Sequence, residues 1–148
     1  MTPLLEVDEV DVFHGDVQAL FGLTVTVAQG ETLAVIGANG GGKSTLLKTV
    51  AGVLRPARGD VRLQGTSLRG VPAHRRVGRG IAMSPEGRRL FPSLTVEENL
   101  LVGAHSGRPG PWGLARVYEL FPLVSERRAR PAATSRAGSS RRWPSAGR

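Results

Sequence analysis

The segment Gly37-Ala38-Asn39-Gly40-Gly41-Gly42-Lys43-Ser44 constrains this chain more than any other stretch, because it fits the pattern G-x-x-x-x-G-K-[ST] at every fixed position. Ahead of it, residues 32–36 (Thr-Leu-Ala-Val-Ile) form a nearly continuous apolar run, as in a strand covered on both faces. Behind it, residues 44–51 read as a helix, with Gly52 placed to stop it. Strand, glycine loop and helix in that order make a phosphate cradle. Glycines let the backbone curl until successive amides point inward, and the helix N-terminus adds the positive end of its dipole. Lys43 brings a cation to the β- and γ-phosphates, and the Ser44 hydroxyl is a ligand for Mg²⁺. The expected phosphate site is therefore Gly37, Ala38, Asn39, Gly40, Gly41, Gly42, Lys43, Ser44 and Thr45.

The remaining pattern mixes strands and short helices. Residues 5–13 alternate imperfectly and 23–27 alternate cleanly, the latter as a half-buried antiparallel strand should. Residues 59–63 give another alternating strand ended by Gly65, and 81–83 a short one stopped by Pro85. Residues 71–77 are a short helix candidate. Thr95-Val96-Glu97-Glu98 is a capping box opening a helix to about Ala104. Residues 105–113 are a Gly- and Pro-containing loop, and 114–121 have helical spacing with Leu114, Val117, Leu120 and Phe121 on one face. Periodicity stops near Pro131, and no internal repeat is present.

Charge narrows the partners. The net charge is +8, yet residues 1–126 carry 13 Lys/Arg against 12 Asp/Glu. Residues 127–148 carry seven arginines and no acid. The excess thus belongs to the tail, which reads as a solvated segment, and no nucleic-acid partner is expected. Cysteine is absent, so disulfides and thiolate metal sites are excluded. The start Met1-Thr2-Pro3-Leu4-Leu5-Glu6 does not read as a signal peptide, and no stretch approaches the roughly 20 apolar residues of a membrane span.

Residues 37–47 closely resemble the Walker A segment of ATP-binding cassette (ABC) subunits, with Gly41 where that family usually has Ala. Residues 80–100 resemble the family's Q-loop and the helix after it, with Glu86 where most members have Gln. Pro85-Glu86-Gly87-Arg88-Arg89, then Leu90-Phe91, looks like one of the paired ATPases of branched-chain amino acid transporters; Val117-Tyr118-Glu119-Leu120-Phe121-Pro122 and Glu126-Arg127-Arg128 fit it too. The resemblance covers residues 4–134. It implies an α/β P-loop core, an antiparallel β subdomain at the N-terminus and the start of a helical subdomain over about 87–134. It implies ATP and Mg²⁺ as cofactors, hydrolysis driving import of branched-chain amino acids, membrane permeases and a second ATP-binding subunit as partners, and a place on the cytoplasmic face of the membrane. A rival reading within the family is a non-transport ATPase acting on DNA or ribosomes.

By position, His14 stands where an aromatic stacks on adenine; the alternative is a surface histidine. Phe13 is a larger ring, but strand alternation aims it at the other face. Glu86 would sense Mg²⁺ or the attacking water, as a catalytic residue beside Lys43; the alternative is a solvated loop acid. Arg88 and Arg89 would meet the membrane subunit, or are simply solvated. The helix after Thr95 would border the groove for a membrane subunit's coupling helix.

After Thr134 the family would supply a Leu-Ser-Gly-Gly-Glu-Gln-Gln signature, a strand ending Asp-Glu and a switch His. None follows here. A G+C-rich coding of Thr-Leu-Ser-Gly-Gly-Glu-Gln-Gln-Ala-Leu-Ala-Ile-Gly-Arg-Ala-Leu-Met, with one C deleted from its ACCCTC run, reads as Thr134 to Arg148 and then stops. Residues 135–148 are therefore expected to be a frameshifted, aberrant and disordered tail, on a chain that holds only part of the domain and is inert in hydrolysis. Without the Asp-Glu strand, residues 32–36 would lack a ladder neighbour and expose an edge.

Overall fold

The computed structural model describes residues 3–87, 89–105, 107 and 110–132. It divides into two units, Met1–Ser84 and Pro85–Arg148. Arg88, Thr134 and the tail at 135–148 lie outside the described residues.

The first unit is built on an antiparallel sheet. Strand β1 spans Leu5–His14, β2 Val17–Val27, β3 Arg58–Leu63 and β4 Thr66–Ser67, in the order β2-β1-β3-β4. The imperfect alternation of β1 has a local cause. Glu9 adopts a positive φ of 45°, and the register of β1 shifts against both neighbours around it. The bulge moves the inward face from Val7 to Val10 and Val12, all fully buried. Gly59 sits directly against the Asp8 and Glu9 carbonyls, where a Cβ would collide. Val7, Val10, Val12 and Leu20 from the hairpin, Val61 and Leu68 form the core with Leu46, which comes from helix α1 (Lys43–Val50).

Helix α1 ends under a buried arginine. Arg76, 4% exposed, lies on α2 (Ala73–Gly78). Its Nη1 donates to the Thr49 and Val50 carbonyls, its Nη2 to Leu68 O and its Nε to Val71 O. The guanidinium closes the negative end of α1 while tying it to the loop after β4. Gly52, at φ 79°, leaves the space: a Cβ there would lie 2.6 Å from Arg76 Nε. Gly52 stands one residue beyond the helix cap Ala51, as a left-handed stop should.

Two expected strands are corrected. Neither 32–36 nor 81–83 is assigned to a strand, and 31–40 are exposed throughout, with Ile36 at 92%. Strand geometry is sustained by a ladder partner, and among the described residues none pairs with these segments. β2 starts earlier than its clean alternation suggested, and β4 is too short for any periodicity to reveal.

The second unit contains α3 (Val96–Gly103), α4 (Leu114–Leu120) and α5 (Pro122–Glu126). The capping box forms as its residues predict: Thr95 Oγ1 accepts from Glu98 N, and Glu98 Oε2 accepts from Thr95 N. The two other amides at the start of α3, Val96 and Glu97, donate to the Arg130 and Arg128 carbonyls. Asn99 holds the preceding turn, accepting from Phe91 N and donating to the Phe91, Leu94 and Thr95 carbonyls. Tyr118 on α4 donates to Glu97 at 2.7 Å, which raises the phenol's pKa.

The bonds from Thr95 hold the Glu98 carboxyl below the usual carboxylate range. Because the folded value is depressed, the stability this group contributes is complete above the ordinary value of about 4.3 and is lost as pH falls through the folded value. Glu98→Gln is expected to flatten the acid unfolding of this unit below about pH 4.5. Superimposable acid titrations of helix content for variant and wild type would refute it.

Candidate nucleotide site

Helix α1 begins at Lys43, with Gly42 as its N-cap at φ 80° and no acidic residue in its first turn. Gly42 has no side chain with which to cap the opening amides. Gly40 and Gly42 both take positive φ, which lets the loop reverse twice within three residues. The loop folds back through Gly41 N to Ala38 O at 3.1 Å. Lys43 Nζ lies within 2.7 Å of both the Gly37 and Ala38 carbonyls, so its ammonium bridges the mouth of the loop. Residues 37–41 are exposed, and Ser44 is on the outer side of the first turn. The arrangement fits phosphate: a cation and the N-terminus of α1 meet at an exposed glycine loop.

Gly42 also positions the loop against the sheet. A Cβ on it would lie 2.8 Å from Leu20 Cδ2 and 2.9 Å from the Ala19 carbonyl. The start of α1 is thus seated on β2 at a separation only glycine allows. Across the same junction, His14 Nε2 lies 3.0 Å from Thr45 Oγ1. Thr45 is 7% exposed, and its carbonyl accepts from Thr49 Oγ1. The imidazole at the end of β1 therefore meets the first turn of the phosphate helix.

For a metal, the first unit offers the Ser44 hydroxyl. Among the described residues, no group of three or more His, Cys, Asp or Glu could hold an ion by itself. Ser44 is the residue of this loop that would hold a Mg²⁺ bound with nucleotide, where the ion would neutralise phosphate charge. Glu86 is exposed and belongs to the second unit, as does Arg89, also exposed. The first unit alone brings together Gly37 to Thr45 with His14. The Thr45 partnership of His14 and the role of Arg76 had no distinct sequence signal, since each depends on a contact far along the chain; the bonds of Asn99 are local, but no motif marks them.

A glycine-rich loop between sheet and helix, with its lysine over the loop carbonyls, defines a P-loop nucleotide-binding protein. The chain matches the ABC transporter family over residues 20–142, and it belongs to that family. It is 42% identical, over 137 residues, to the high-affinity branched-chain amino acid transport ATP-binding protein BraG of Pseudomonas aeruginosa, covering 91% of this chain and 59% of that one. It is 36% identical to the putrescine transport ATP-binding protein PotG of Escherichia coli, over 84% of this chain and 32% of that one. A solved ATP binding subunit of an ABC transporter superposes with a TM-score of 0.68 at 33% identity, covering 85% of this chain and 53% of the other. A nucleotide-free ATP-binding cassette gives 0.70 at 24% identity, over 88% and 58%, a likeness of fold. The chain spans little more than half the length of BraG and of these two solved subunits.

No helix among the described residues is long and apolar enough to cross a membrane.

Proposed function

We propose that this chain is the nucleotide-holding portion of an ATP-binding subunit that, when whole, couples ATP hydrolysis to import of branched-chain amino acids. The observation that carries it is the Lys43 ammonium bridging the Gly37 and Ala38 carbonyls at the N-terminus of α1. The solute class is supported by the similarity to BraG over 91% of the chain and by the Pro85-Glu86-Gly87 segment; the chain is also similar to relatives named for arabinose and putrescine. In this reading the loop amides and Lys43 would bind the triphosphate, Ser44 would hold Mg²⁺, and Glu86 would sense the metal or the attacking water. Mg²⁺ supplies charge neutralisation of the phosphates when bound. His14 stacks on the base. Membrane permeases and a second ATP-binding subunit are its partners, at the cytoplasmic face of the membrane. Residues 135–148 are a frameshifted reading with no selected role.

Lys43→Ala is expected to weaken MgATP binding about 10- to 150-fold, the worth of one charge-assisted hydrogen bond. Titration calorimetry or a fluorescent analogue measures it. Equal affinity in both proteins would remove the reading.

A further inference from the structure

The junction between the hairpin and α1 brings His14 against Thr45. Imidazole offers less stacking area than the larger aromatic rings. A small ring on an exposed strand end also has two free torsions, and fixing them on binding costs affinity. The Nε2···Oγ1 contact removes that freedom in advance, since it fixes the plane of the His14 ring to a nearly buried hydroxyl. The platform under it is rigid. Gly42 seats α1 directly on Ala19 and Leu20, and Thr49 Oγ1 donates to the Thr45 carbonyl one turn earlier.

The geometry points to Thr45 as a specificity-positioning residue: its hydroxyl holds the His14 ring in place for the nucleobase, and so joins base recognition at the end of β1 to phosphate recognition at α1. The inference rests on the proposed nucleotide site and adds a role for the Thr45 side chain that the loop motif does not require. It follows that the Thr45 hydroxyl acts on ligands with a base, while the Thr45 backbone, part of the phosphate loop, is unchanged by substitution of the side chain. Phenylalanine at position 14 would stack without a hydrogen bond, so with it the Thr45 hydroxyl has nothing left to hold.

The test measures affinities of the 148-residue chain for MgATP and for magnesium tripolyphosphate, which has no base. Thr45→Val is expected to weaken MgATP about three- to tenfold, the range of one neutral hydrogen bond, and to leave tripolyphosphate within about twofold. Thr45→Ser, which keeps the hydroxyl, is expected to retain wild-type affinity for both. In the His14→Phe background, Thr45→Val is expected to change MgATP binding by less than about twofold. Loss of both ligands in equal measure, or the same loss in both backgrounds, would overturn the inference and assign Thr45 to the phosphates or to the fold alone. Should Thr45→Val fail to fold, His14→Ala at the exposed strand end gives the same contrast, and equal effects on the two ligands there would overturn it as well. Lys43→Ala separates the two readings. If it weakens neither ligand, the nucleotide site itself is wrong; if it weakens both while Thr45→Val shows no preference for ATP, only the present inference falls.

Discussion

A polypeptide of these 148 residues, at saturating MgATP, is expected to release phosphate no faster than its Lys43→Ala variant. In-line attack by water needs a group to orient the water and take its proton, and such catalysis is worth about 10²- to 10⁴-fold. The acids of the sheet are already engaged. Glu6 and Asp8 pair with Arg62, Glu9 with Arg58, and Asp60 accepts from Ser67 and from Val61 N. Asp11 is held by Gln18 and Gly22, and Glu31 by the Ala28 amide. Glu86, the acid proposed to sense the metal or the attacking water, is exposed and belongs to the second unit. Reading the coding DNA after Thr134 in the alternative frame is expected to give the signature and then an apolar strand ending Asp-Glu; a protein expressed in that frame should turn over ATP. Steady phosphate release by the 148-residue chain, abolished by Lys43→Ala, would show that the fragment already holds a working base. The absence of any such reading frame would end the frameshift proposal.

The second large effect is expected far from the loop. Arg76→Leu removes the donor from four carbonyls at once, those of Thr49, Val50, Leu68 and Val71. Burial lowers the arginine's pKa, and nearby Asp60 opposes that shift. The side chain nonetheless stays charged, and its charge is matched by carbonyls at the negative end of α1. An apolar replacement of similar reach takes the donor from the Val50 and Val71 oxygens and leaves Thr49 O and Leu68 O with only their backbone donors, Gly52 N and Val71 N, at a combined cost of about 2–4 kcal/mol. Set against a domain stability of about 5–15 kcal/mol, that is a large fraction. The check is the urea midpoint, followed by a probe in the first unit. Arg76→Lys, with a single ammonium in place of the planar fork, is expected to fall between the two. A midpoint unchanged in Arg76→Leu would mean that water satisfies these carbonyls and that the arginine is dispensable.

The second unit shows what local sequence can specify. Thr95, Glu98 and the apolar run after them encode a cap and a helix start within four residues, and the capping box forms with both of its hydrogen bonds. The glycine loop was legible for the same reason. Positive φ at Gly40 and Gly42, and a lysine one residue into the helix, are properties of adjacent residues. So was β3, which alternates against a single buried face. The cap and the loop needed no distant partner; β3 was readable from its alternation, although it is held as a strand by its pairing with β1.

What only the tertiary structure decided involves partners distant in sequence. Residues 32–36 have strand composition, but a strand is a hydrogen-bonded relation between two segments, and no described neighbour pairs with this one. Conversely, His14 reaches Thr45 across 31 positions because Gly42, lacking a Cβ, lets α1 settle on β2. Arg76 looked like one of several helix arginines until the C-terminus of α1 was brought over it. The sequence determined the phosphate-binding loop and the local starts and stops of its helices. The folded chain decided which side chains surround that loop, because close approach depends on the packing of whole elements and leaves no pattern in neighbouring residues.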